Sequence, residues 1–163
     1  MSKKGLNEMY KILVYFSGPV GYTIFATLKI LEKMLPIEIF AINDQSVNSR
    51  QFYQEQKFVK IKKTWFYRDY LKSFHLPDLN YLKKIEKKFQ LDFWHILLAD
   101  SNFAVMGDTM NKKFTDSEIY SLVEDDCKLF EKIIDEVNPD FLMIHVGGQK
   151  HLTLLREMCR SVN

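Results

Sequence analysis

Three features of this 163-residue sequence predict an α/β fold with a mostly parallel sheet and helices on both faces. Residues 10–16 (YKILVYF) and 37–42 (IEIFAI) are short runs rich in aromatic and β-branched types, the composition of buried strands. Between them Phe25, Leu28, Leu31 and Leu35 recur at helical intervals, so strand, helix and strand follow within about 35 residues, the unit of a parallel sheet with a crossover helix. A second strand–turn–helix succession closes the chain, where residues 141–146 (FLMIHV) run into Gly147-Gly148. The arrangement predicted is Rossmann-like, in three layers.

Each element has a local reason. The first strand ends in Ser17-Gly18-Pro19-Val20-Gly21, a tight turn, and Pro36 stops the helix that follows. The second strand is bounded by Pro36 and by Asn43-Asp44-Gln45-Ser46. Residues 46–56 are polar and read as a loop or short helix. Residues 58–67 (FVKIKKTWFY) alternate Val59 and Ile61 with Lys, which admits a third strand. Leu79, Leu82, Ile85 and Phe89 trace one face of a helix begun at Pro77-Asp78; a second helical stretch follows Asp92, and residues 101–114 read as a loop. Thr115-Asp116-Ser117-Glu118 fits a capping box, and the apolar face from Ile119 to Val137 predicts a helix of more than five turns ended by Asn138-Pro139. The last helix buries Leu152, Leu155 and Cys159. Because a doubly wound sheet continues with another strand after such a helix, the expectation is a single domain over residues 1–163 that is truncated, the N-terminal half of a longer two-domain protein.

Composition narrows the class. The chain is 47% hydrophobic and 27% charged, with 13 Phe and 8 Tyr against 6 Gly and 4 Pro, which excludes disordered and collagenous chains. Cys127 and Cys159 share no CxxC spacing and fall on apolar helix faces, so a disulfide scaffold is excluded and a reducing compartment expected. No apolar run reaches the length of a spanning helix and the start lacks a cleavage site, so the location expected is cytoplasmic, or peripheral at the inner membrane face. The net charge of +2 predicts no nucleic-acid partner. Its distribution is uneven: residues 57–88 sum to +7 and residues 91–140 to −8. One basic patch for an anionic membrane surface, or lysines scattered and paired with those acids, are the two readings; the second is favoured. The lysines and aromatics of residues 57–67 resemble a single-strand nucleic-acid surface, but an amphipathic strand shows the same pattern.

In a parallel sheet ligands bind beyond the carboxyl ends of the strands. The candidate site residues are therefore Gly18, Gly21 and Tyr22 after the first strand, and His145, Gly147 and Gly148 at and after the last. Both turns precede a helix, whose free amides can meet a phosphate, a carboxylate or a sugar hydroxyl; a glycine there can also simply permit a tight backbone. SGPVGYT is neither GxGxxG nor a P-loop, so no dinucleotide or triphosphate fingerprint is present and no cofactor is expected. His75, His95, His145 and His151 match no zinc spacing, and no metal is expected. Asp44 follows the second strand, where such folds aim an acid at a ribose, although a turn-forming Asp explains it too. Asp125 and Asp126 are expected to face solvent on the long helix. No catalytic residue can be named.

Several of these stretches resemble the N-terminal domains of GT-B-type glycosyltransferases and their relatives in capsular and surface polysaccharide biosynthesis. KILVYFSGPVGYTI resembles their opening strand and glycine loop, with Tyr22 where a His is frequent. LDFWHILLADSNF and FTDSEIYSLVEDDCKLFEKIIDEVNPDFLMIHVGGQKHLTLLREMCRS resemble the surface-carbohydrate group, and the likeness spans nearly the whole chain. The resemblance implies two Rossmann-like domains with the active site between them. The nucleotide-sugar donor would lie mainly on a C-terminal domain, and this chain would supply the wall facing the sugar or glycan acceptor, incomplete as an enzyme by itself. The alternative is a stand-alone nucleotide- or phospholigand-binding α/β module without turnover. Oligomeric state is not legible.

Overall fold

The computed structural model describes residues 9–17, 21–44, 47–98, 114–145 and 149–162. It is α/β, with a four-stranded, all-parallel sheet and helices, consistent with a Rossmann-like three-layer fold. The chain divides into two compact units, residues 1–68 with 137–145 and residues 69–136 with 146–163.

The first unit holds the sheet. β1 (Tyr10–Phe16), β2 (Ile37–Asn43), β3 (Ile61–Phe66) and β4 (Phe141–Met143) lie in the order β3-β2-β1-β4. β1 pairs with β2 from Tyr10↔Ile37 to Phe16↔Asn43, and with β4 from Ile12↔Phe141 to Val14↔Met143. α1 (Gly21–Met34) and α2 (Val47–Glu55) connect the first three strands. Ile12, Val14, Phe16, Ile39 and Ala41 form a core with Ile24, Phe25 and Leu28 of α1 and with Tyr53 of α2. Phe16 is fully buried, stacked on Phe25 at 4.8 Å and tilted against Tyr53 at 5.2 Å. Leu13, Tyr15, Phe40, Ile42 and Trp65 on the opposite face are also buried, as strands of a parallel sheet are.

Residues 58–67 do hold a strand, and its lysines have a structural reason. β3 is an edge strand, and its register against β2 shifts between Ile39↔Ile61 and Phe40↔Lys63, so Lys62 is the extra residue of a bulge. The basic stretch is shared between the units, Lys57, Lys60, Lys62 and Lys63 in the first and Lys72, Lys83, Lys84, Lys87 and Lys88 in the second.

β4 is shorter than expected: Ile144 and His145 lie past its end. Asn138 takes φ 47°, a left-handed conformation that asparagine tolerates, and Pro139 cannot extend the helix before it. Asp140 then exchanges bonds with Lys11: its carboxylate accepts from the Lys11 amide at 2.8 Å and its amide donates to the Lys11 carbonyl at 2.9 Å. The Lys11 ammonium donates to the Val137 carbonyl at 2.9 Å. The Asn-Pro-Asp motif thus sets where β4 meets β1.

The second unit is helical: α3 (Leu79–Phe89), α4 (Phe93–Leu98), α5 (Asp116–Val137) and α6 (Lys150–Val162). The capping box is formed, with the Glu118 carboxylate accepting from the Thr115 amide at 2.8 Å and the Glu118 amide donating to the Thr115 hydroxyl at 3.3 Å. Cys127 and Cys159 are buried thiols. Burial pushes both up, Cys159 to about 12, so neither is a ready nucleophile at neutral pH.

One expectation is overturned here. Asp125 and Asp126 do not face solvent: they are 4% and 0% exposed, and Glu124 beside them 2%. Three successive residues of a helix point in three directions, and each acid holds a different partner. Asp125 accepts from the Lys72 amide at 2.9 Å, Asp126 from the Lys150 ammonium at 2.5 Å, and Glu124 from the Asp78 amide at 2.7 Å and from Lys128. Burial works to raise the Glu124 carboxyl, but the bonds from Lys128 and Asp78, with the charges of Lys128 and of His75 at 3.4 Å, hold it below its ordinary value of 4.5. A carboxyl depressed in the folded state stabilises above its unfolded value and loses that contribution as pH falls through the folded one. Stability of the chain is therefore expected to fall as pH drops below 4.5, and Glu124→Gln to flatten that part of the profile in urea unfolding measured at successive pH values.

Candidate functional site

The carboxyl ends of the parallel strands of the first unit mark one edge of the sheet, and the site is built there. In the order β3-β2-β1-β4, the chain leaves β1 in one direction, toward β2 and β3, and β4 lies on β1's other side. This reversal between β1 and β4 is the switch point at which ligands bind in open parallel sheets. β1 and β4 are paired neighbours, so their carboxyl ends lie side by side although some 125 residues separate the two strands in the sequence.

The predicted residues divide as follows. Gly21 is the first residue of α1 and Tyr22 the second, so the end of the first turn opens that helix. His145 lies two residues beyond β4 and is exposed. Gly18, Gly147 and Gly148 lie outside the described residues, as does most of the loop expected over residues 101–114. Asp44 directly follows β2; its amide donates to the Phe16 carbonyl at 3.0 Å, tying it to the end of β1.

Three further residues join this edge. Arg68 follows β3, and its Nε lies 3.6 Å from the Asp44 carboxylate, with 63% of its side chain exposed. Arg50 of α2 lays its guanidinium 4.1 Å from the ring centroid of Phe66, the last residue of β3, a cation–π contact. Asn43, the last residue of β2, is 2% exposed. Nothing in the sequence groups these three with the glycine turns, because each is an ordinary polar residue until β1, β2 and β3 are aligned. Their one local signal is position, just past or opposite the end of an apolar run.

The Arg68 guanidinium beside the Asp44 carboxylate, with the Arg50 guanidinium over Phe66 at the same edge, can orient a phosphate, a carboxylate or the hydroxyls of a sugar. The described residues hold no cluster of three His, Cys, Asp or Glu placed to bind a metal ion. No helix among them is long and apolar enough to cross a membrane. Comparison of the chain with protein-family models, with curated proteins and with solved structures finds no match in any of the three.

Proposed function

We propose that this chain is the N-terminal, acceptor-side domain of a glycosyltransferase-like protein of surface or capsular polysaccharide biosynthesis, working in the cytoplasm. The observation that supports the reading is the strand order: β1 and β4, which precede the two glycine segments of the likeness, are paired neighbours at the switch point. Asp44, Arg68 and His145 then supply charge and hydrogen bonds around a glycan acceptor. The nucleotide-sugar donor is held mainly by a second Rossmann-like domain, so this chain does not complete turnover by itself.

The Arg50 and Arg68 guanidinium groups favour one second reading, a nucleotide- or phospholigand-binding module without turnover. Calorimetric titration with two panels, oligosaccharides and nucleotide sugars, separates the readings. The acceptor reading expects heat with an oligosaccharide, lost in Gly21→Trp, which puts an indole at the first residue of α1. The binding-module reading expects nucleotide sugars to bind and to raise stability as RT ln(1 + [L]/Kd), about 2.7 kcal/mol at a hundredfold excess over Kd. No heat from either panel contradicts both.

A further inference from the structure

The two edges of the first unit's sheet are built differently. The β3 edge carries Lys62 and Lys63, with Lys60 just before it, and a bulge, features that keep an edge strand from pairing with another chain. The β4 edge carries Phe141, Leu142 and Met143, followed by Ile144, in regular register, with no charge. Beside it runs a groove of about 630 Å³ with no charged residue among the described residues of its lining, whose walls include Tyr10, Ile12, Leu31, Leu35, Phe141 and Met143. The bank of this groove formed by α1 is equally uncharged. On the flank turned toward β3, Glu32 accepts from the Lys60 amide and Lys29 lies over Phe58. On the opposite flank, with Leu31, stand Thr27, Ile30 and Met34, by the 100° step of the helix.

We propose that this uncharged edge is a self-association surface: a second copy of the chain sets its β4 antiparallel to this one across a two-fold axis, each copy placing Met34 against the other's groove. Three observations favour a second copy. The patch contains both protruding and receiving parts, since Ile30 and Met34 are 59% and 71% exposed beside a groove, and an isologous contact needs both on one surface. It meets itself without opposing like charges, whereas two β3 edges would bring lysine against lysine. Its exposed side chains, with Leu35 at 45% and Phe141 at 42%, make an apolar patch of roughly a few hundred Å², the size at which such a patch marks an interaction site. The proposal does not depend on which ligand occupies the carboxyl edge.

Sedimentation velocity of the full chain over a dilution series tests it. The wild type is expected to show a concentration-dependent dimer. Met34→Lys and Phe141→Lys, each adding a charge to the patch, are expected to weaken it by about tenfold or more. Lys60→Glu, at the other edge, is expected to leave the dimer constant unchanged. Met34 is exposed on a helix, so Met34→Lys should keep the wild-type thermal transition and carries the test if Phe141→Lys fails to fold. A wild type that stays monomeric throughout, or a dimer constant unaltered in folded Met34→Lys, overturns the proposal.

Discussion

Lys150→Met is expected to cost about 3–5 kcal/mol of unfolding free energy, among the largest losses any single substitution in this chain should produce. Its ammonium meets the Asp126 carboxylate at 2.5 Å, and the two side chains are 11% and 0% exposed. Removing the cation leaves a charge in the interior whose desolvation that partner had offset. The double variant Asp126→Leu with Lys150→Met removes both charges, and it should recover most of the loss, because replacing a buried pair by apolar groups of similar volume is close to neutral. Urea denaturation of wild type, single and double variants checks both statements. A single variant within about 1 kcal/mol of wild type would show that the pair contributes little.

Phe16→Ala should be comparably damaging, at about 3–5 kcal/mol, because a fully buried ring is lost together with its contacts to α1 and α2. Phe16 also places the candidate site. It ends β1, and its carbonyl accepts from the Asp44 amide, so collapse around the cavity would shift the start of the first glycine turn. Chemical denaturation gives the stability loss, and oligosaccharide titration of the still-folded fraction should show weaker binding than wild type. Unaltered binding would separate the ring from the site.

β1, α1 and β2 were legible because each obeys one rule over its whole length: an apolar run closed by a turn residue, or a 3.6-residue period closed by Pro36. β3 was ambiguous for a physical reason. An edge strand that must not pair carries lysines and a bulge, which break the alternation that identifies a strand. Asp125 and Asp126 were misread because consecutive acids on a helix usually mean a solvated face; what buries them is a set of partners at Lys72 and Lys150, distant in sequence. The same limit applies to the site. The glycine turns announce themselves as turns after strands, but that β4 pairs with β1 is decided by long-range pairing, and so is the approach of Arg68 to Asp44. The likeness carried by Asn-Pro-Asp likewise has a packing explanation in the Asp140–Lys11 bonds, which hold β4 in register whatever the chain binds.

The claim that the ligand sits at the carboxyl edge beside the β1–β4 switch point is tested most directly by amide NMR. The ¹H–¹⁵N spectrum of the full chain would be followed during titration with the oligosaccharide and nucleotide-sugar panels. Binding there predicts shifts concentrated at Ser17, Asp44, Arg68 and His145, with the amides of Tyr10 and Ile37 at the amino ends of β1 and β2 undisturbed. A spectrum that no member of either panel alters, or shifts that leave those four residues unmoved, would contradict it.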